Sequence, residues 1–295
     1  MTTPFHKKPN MYTSHVQLKV SDLTRSLEYY TTIIGFEVLK QTEDTAYLTF
    51  DGKNSLLSLV EVANVQPLRG GYTGLYHFAL LLPSRKDLGN IVQHFVELNV
   101  RVGASDHDVS EALYLNDPDG NGIEIYVDRD ASEWTWNSEG YVHMTTEHLN
   151  FQPILAEADG KWGGLPIGTV MGHIHLSISD IAATEKFYTA VLDYEVVTRY
   201  GAQALFISTG KYHHHLGLNT WHSGGGVPAP ANTVGLKSYT VVLEDAAYAE
   251  KVKANLQTAG YTVEHFEEAP AYGGTQLFSV VDPNGIRIVF TAEGE

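Results

Sequence analysis

Residues 15–39 read HVQLKVSDLTRSLEYYTTIIGFEVL, and residues 173–197 read HIHLSISDIAATEKFYTAVLDYEVV. A constant offset of 158 residues superposes them without a gap, matching His15 with His173, Asp22 with Asp180, Tyr30 with Tyr188 and Glu37 with Glu195. The same offset still holds at Gly52-Lys53 and Gly210-Lys211. A register kept over that distance marks a duplicated structural unit. Each copy opens with an alternating apolar stretch such as His15–Val20, the pattern of a half-buried strand. An Asp then stands where an amphipathic helix needs an N-cap, and short apolar runs between Gly-containing turns predict three further strands.

A second kind of unit follows each copy. GLYHFALLLPS (74–84) leads to DPDGNGIEIYV (117–127), and GLKSYTVVLED (235–245) leads to DPNGIRIVF (282–290). The chain therefore reads as four modules, 11–63, 72–128, 169–222 and 233–292, each of order βαβββ. One such unit has a helix-covered face and an open face, and two side by side curl into a cup that suits a ligand. The expected fold is α+β, with four βαβββ modules forming two cup-shaped half-barrels. In chain order this gives an N-terminal pair of modules (11–128), a linker (129–168) and a C-terminal pair (169–292). The linker is long for a connection. A short helix is expected near Ile154–Ala158, Trp134 and Trp136 are expected to pack on the domains, and the first ten residues are expected to be unstructured.

Composition narrows the function. The 295 residues include 19 basic and 35 acidic ones, for a net charge of −16, and the basic residues form no run. That argues against nucleic acid or an anionic membrane as partner. No apolar run approaches the ~18 residues that span a bilayer, and the N-terminus lacks the apolar stretch of a signal peptide, so a cytoplasmic location is expected. There are no cysteines, which leaves the 14 histidines and the carboxylates to hold any metal. A homo-oligomer is left open.

The segment from His107 to Glu124 reads H-x5-L-Y-x2-D-P-x-G-x3-E. A hairpin needs the turn alone. Module four shows this, because QLFSVVDPNGIRIVF keeps the turn but has Ser279 and Val289 where module two has Tyr114 and Glu124. Period-2 alternation in GIEIYV sends Ile123 and Ile125 to the helix side and Glu124 into the cup. Four βαβββ modules with such final turns resemble the vicinal oxygen chelate superfamily, and the His107–Glu124 segment resembles the signature of its type I extradiol ring-cleaving dioxygenases, the catechol 2,3-dioxygenase-like enzymes. Ser105, two positions before His107, departs slightly from the usual pattern.

The resemblance implies a mononuclear Fe(II) site made of two His and one carboxylate, a donor set that also suits Mn(II). Glu124 would be the carboxylate ligand, and His77, which opens the same module, the first His. Module four has Ser238 there, so it has lost both ligands together. For the second His, both His15 and His173 fit. Sequential pairing of modules favours His15. The crossed pairing of modules two and three favours His173, because module three also carries KYHHHLGLN where module one has KNSLLSLVE. The family's proton-exchanging His would come from that run. Its pattern selects His214, whereas strand parity with Leu216 and Leu218 points to His213 or His215. His107 would hydrogen-bond a substrate oxygen, Tyr114 would assist proton removal, and His175 would line the pocket. The implied reaction is extradiol cleavage of a catechol-type ring by O2, with a small aromatic diol as substrate. The rivals are a glyoxalase-like isomerase or lyase on another divalent metal, and a non-catalytic binding protein of the bleomycin-resistance type.

Overall fold

A computed structural model describes residues 4–265 and 275–292. Module one consists of β1 (Tyr12–Val20), α1 (Leu23–Glu28), β2 (Glu37–Gln41), β3 (Thr45–Thr49) and β4 (Ser55–Glu61). Module two consists of β5 (Tyr72–Leu81), α2 (Arg85–Glu97), β6 (Gly103–Asp106), β7 (Ser110–Asn116) and β8 (Gly122–Asp128). The linker carries α3 (Phe151–Glu157), beginning slightly earlier than expected because Asn150 caps it by accepting from the Gln152 amide. Module three is β9 (Val170–Ser177), α4 (Ile181–Lys186), β10 (Glu195–Tyr200), β11 (Ala204–Ser208) and β12 (Leu216–Asn219), followed by the two-residue β13 (Val227–Pro228). Module four is β14 (Gly235–Leu243), α5 (Ala246–Thr258), β15 (Thr275–Val281) and β16 (Arg287–Ala292). Among the described residues, its remaining strand is represented by an isolated bridge between Glu264 and Ser279.

Each module helix starts where the sequence supplies a cap. The side chains of Asp22, Ser84, Asp180 and Asp245 accept from the amides of Arg25, Asp87, Ala183 and Tyr248, satisfying one of the donors that a helix leaves unpaired at its start. In both copies of the repeat the helix then widens into a π-helical segment, Tyr29–Ile34 and Phe187–Val191. The repeated tyrosines on these segments reach the next module's turn: Tyr30 donates to Asp117 at 3.0 Å and Tyr188 to Asp282 at 3.1 Å. Each Asp also accepts amide hydrogens from inside its own turn. The DP turn is thus structural, which is why module four keeps it without the His107–Glu124 chemistry.

The sheets cross the sequence order of the modules. β5 pairs antiparallel with β9, so modules two and three share a sheet of order β10-β11-β12-β9-β5-β8-β7-β6, with β13 beside β5. β1 pairs antiparallel with β14, so modules one and four share the other sheet, β15-β16-β14-β1-β4-β3-β2. Each half of the sequence gives one module to each sheet. Alternation sorts the strand faces. Phe78, Leu80, Ile123, Ile125, Ile174 and Leu176 are buried in the main core, and their alternates His77, Ala79, Glu124, Tyr126, His173 and His175 face the cup.

The N-terminal segment departs from expectation. Residues 4–10 are docked, with Phe5 stacked on Trp134 and Tyr212 at ring separations of 5.4 and 5.0 Å. The His6 ring donates from Nε2 to the Gly172 carbonyl at 2.7 Å. Residues 1–3 lie outside the described residues. This docking rests on single side chains filling tertiary gaps, which leaves no periodic trace in the sequence. Trp134 and Trp136 both join the same small cluster.

His15 lies in the sheet of modules one and four, and burial lowers its pKa from the ordinary 6.5 to about 3. Such a group binds its proton more readily unfolded, so its contribution to stability is complete above pH ~6.5 and is lost as pH falls toward 3. Between pH 7 and pH 5, urea unfolding is expected to show a loss of stability about 2 kcal/mol smaller in His15→Gln than in the wild type. An equal loss in both proteins would mean that His15 is not held neutral.

Candidate metal centre and pocket

Three adjacent strands build the centre. Ala79 on β5 lies opposite Glu124 on β8 in the parallel pairing and opposite His173 on β9 in the antiparallel pairing. His77 precedes Ala79 by two residues on the same face. The methyl of Ala79 is small enough for the three longer side chains to converge above it. Glu124 Oε2 is 2.9 Å from His77 Nε2 and 3.1 Å from His173 Nε2. Ligand atoms at about 2.1 Å from one divalent ion and at right angles to one another would stand roughly 3 Å apart. Among the described residues, this is the one group of three such side chains with ligand atoms all within 4.8 Å. The corresponding positions in the other sheet hold His15, Ser238 and Val289.

The protonation of the cluster suits a cation. Burial opposes charge on Glu124, but His173 and His77 outweigh it and hold the carboxyl well below its usual range. Burial lowers the pKa of His173 against the pull of Glu124. Among the described residues, the buried Nε2 of His77 has no hydrogen-bond partner, although it stands 2.9 Å from Glu124 Oε2. Metal ligands must be deprotonated, and two imidazoles with one carboxylate on one side of an ion leave the remaining positions open.

A cavity of about 480 Å³ adjoins the cluster, with His77 and Glu124 in its wall. His107, Tyr114 and His214 line it, as do Tyr76, Phe206 and Trp221. His107 Nδ1 is 2.6 Å from the Thr145 carbonyl, which can only accept, so that nitrogen carries a proton. The other nitrogen then accepts from the Tyr114 hydroxyl at 2.7 Å. Burial, and after it the neighbouring Glu124, raises the Tyr114 pKa well above 10, so the phenol is a donor. His107, expected to bond a substrate oxygen, lines the cavity itself, with its two nitrogens on Thr145 and Tyr114.

Of the three consecutive histidines, His214 borders the cavity, its ring 4.1 Å from that of His173 and 5.0 Å from that of Phe206. Burial, then the neighbouring His173, lowers its pKa well below 6.5. His213 turns to Asp128, and His215 donates to the Phe5 carbonyl. The parity expectation for His213 or His215 fails because all three precede the start of β12 at Leu216. They follow Lys211, whose φ of 57° takes the chain out of the strand path. His175 lines the cavity and accepts from Asn219 Nδ2 at 3.0 Å.

Sequence reasoning missed several wall residues. Tyr76 is next to His77, and alternation would put it on the opposite face, but β5 has a register shift between Leu75 and His77. Trp221 follows the end of β12, and Met144 to Thr146 come from the linker. None of these positions carries a periodic signal.

The model of the Glyoxalase/Bleomycin resistance protein/Dioxygenase superfamily matches residues 13–125 and 170–290. The chain belongs to this superfamily. Catechol-2,3-dioxygenase of Bacillus subtilis (strain 168) is 46% identical over 281 residues, covering 94% of this chain and 95% of that protein. Biphenyl-2,3-diol 1,2-dioxygenase 3 of Rhodococcus globerulus is 28% identical over 170 residues, 52% of this chain and 83% of that protein. Among solved structures, glyoxalase I from Zea mays is alike in fold, with a TM-score of 0.58 at 17% identity, covering 96% of this chain and 92% of that one. No helix among the described residues is long and apolar enough to cross a membrane.

Proposed function

We propose that this superfamily member is an extradiol dioxygenase that opens a catechol-type ring with O2 at a mononuclear Fe(II) held by His77, Glu124 and His173. The observation that carries the reading is the convergence of these three side chains beside a cavity whose wall combines His107, Tyr114 and His214 with aromatic rings. The 46% identity to a catechol-2,3-dioxygenase over nearly the whole chain supports it. Iron bound there supplies Lewis acidity toward the two vicinal oxygens of the diol and the one-electron chemistry that O2 requires.

The chain's own residues supply the rest. His214, a buried neutral imidazole, takes a proton from a diol hydroxyl and returns it later as an acid. Tyr114, whose one proton is directed to His107, accepts a hydrogen bond from a diol hydroxyl through its oxygen and so assists proton removal. Tyr76, Phe206 and Trp221 bury the ring and exclude water, which holds the diol in one pose. Tyr114→Phe is expected to keep its metal and its fold while kcat falls tenfold to a hundredfold, the loss of ~1.4–2.7 kcal/mol of transition-state stabilisation. Loss of bound metal in this variant would show that Tyr114 serves the cluster and not the substrate.

The reading is tested by anaerobic loading of the metal-free protein with Fe(II) or Mn(II), followed by catechol and O2. A yellow ring-fission product formed with matching O2 uptake is expected with Fe(II). Fully loaded protein that consumes no O2 with any catechol overturns the proposal. Isomerisation of a hemithioacetal without O2 would favour the glyoxalase-like chemistry.

A further inference from the structure

We infer that Asp128 and His213 are positioning residues that fix the tautomer of His214, leaving its Nε2 unprotonated at the cavity. The inference deepens the proposed function and rests on His214 being the group that exchanges protons with substrate.

A hydrogen-bonded chain runs through the wall of the cup. His213 Nε2 is 2.7 Å from Asp128 Oδ1, and His213 Nδ1 is 2.8 Å from His214 Nδ1. The Tyr212 hydroxyl donates to the same Asp128 oxygen at 3.3 Å and lies 2.6 Å from the Tyr126 hydroxyl. An ionised carboxylate can only accept, so His213 carries its proton on Nε2. The Nδ1 of a neutral His213 is then a lone pair. A contact between two ring nitrogens at 2.8 Å needs one proton between them, and the proton must come from His214 Nδ1. The remaining nitrogen of His214 is Nε2, on a ring that borders the cavity. A neutral histidine left to itself favours the opposite arrangement, with the proton on Nε2, so the base depends on its two neighbours.

His213 is suited to this task and to no direct one. It is fully buried, wedged beside Tyr212, Trp134 and Tyr126 at ring separations of 4.1, 5.1 and 6.2 Å. It does not line the cavity, and its second nitrogen is taken by a carboxylate at the far end of β8 from Glu124. Asp128 acts through His213 alone, and His215 bears only on structure. His215 is tied to Ser208 and Phe5, and Asp128 touches neither the metal cluster nor the cavity.

The test reads the tautomer directly. Metal-free protein labelled with 15N-histidine is examined by long-range 1H–15N correlation, with the His214 signals assigned by their loss in His214→Gln. The wild type is expected to show His214 protonated on Nδ1. His213→Phe keeps an aromatic ring in the slot, and it should move the proton to Nε2. With iron bound, the same variant should lose roughly a hundredfold in kcat at unchanged KM for catechol and unchanged metal content. A wild-type His214 protonated on Nε2 overturns the inference without any variant, as does a His213→Phe protein that keeps the Nδ1 form. Because the tautomer is read without metal, oxygen or substrate, its outcome is independent of whether the protein cleaves catechols.

Discussion

Glu124→Ala is expected to bind no iron and to lose at least a thousandfold in kcat/KM toward catechol, about 4 kcal/mol or more of transition-state stabilisation. Glu124 is the single carboxylate of the cluster, and its Oε2 is the atom on which both imidazoles converge. Removing it takes away the one negative charge that the cluster sets against a buried cation, so affinity and activity should fall together. The fold should survive, because Val289 occupies the matching place in module four and is fully buried there. Metal analysis after anaerobic reconstitution, with circular dichroism on the same sample, checks both halves of the expectation. A folded variant with full iron content would remove Glu124 from the site.

The second large effect separates two histidines that the repeat makes equivalent. His173→Ala should strip iron and activity together, whereas His15→Ala should keep both and cost only on the order of 1–3 kcal/mol of stability. The difference comes from the sheets. β9 lies beside β5, which brings His173 to within 3.1 Å of Glu124, while β1 carries His15 into the sheet of modules one and four. Bound iron and urea unfolding on the two variants decide the matter. Iron retained in His173→Ala and lost in His15→Ala would reverse the assignment.

Much of this was legible in the chain. The 158-residue repeat gave the modules, the Asp and Ser caps gave the helix starts, and module four served as an internal control. By keeping the DP turn while replacing Tyr114 and Glu124, it separated what the turn needs from what chemistry needs. The pairing of modules could be inferred only indirectly, from which module carried histidines at the right offset. Alternation failed at two places for a common reason: the register shift near His77 and the irregular approach to β12 both break the period of two on which facing arguments depend. The docking of Phe5 and His6 and the linker's share of the cavity wall were not legible at all. Each depends on where segments more than a hundred residues apart, or outside any strand, come to rest.

The crossed sheets also bear on how the molecule emerges from a ribosome. β5 pairs on one side with β8 of its own module but meets its other neighbour, β9, about 90 residues later, and β1, paired with β4, waits more than 200 residues for β14. At translation rates of about 5–20 residues per second, the edge of β5 stays open for on the order of ten seconds and that of β1 for longer. Two central strands thus spend that interval with one edge unpaired, the form in which β-structure most readily joins the wrong partner. Slower elongation would lengthen that exposure.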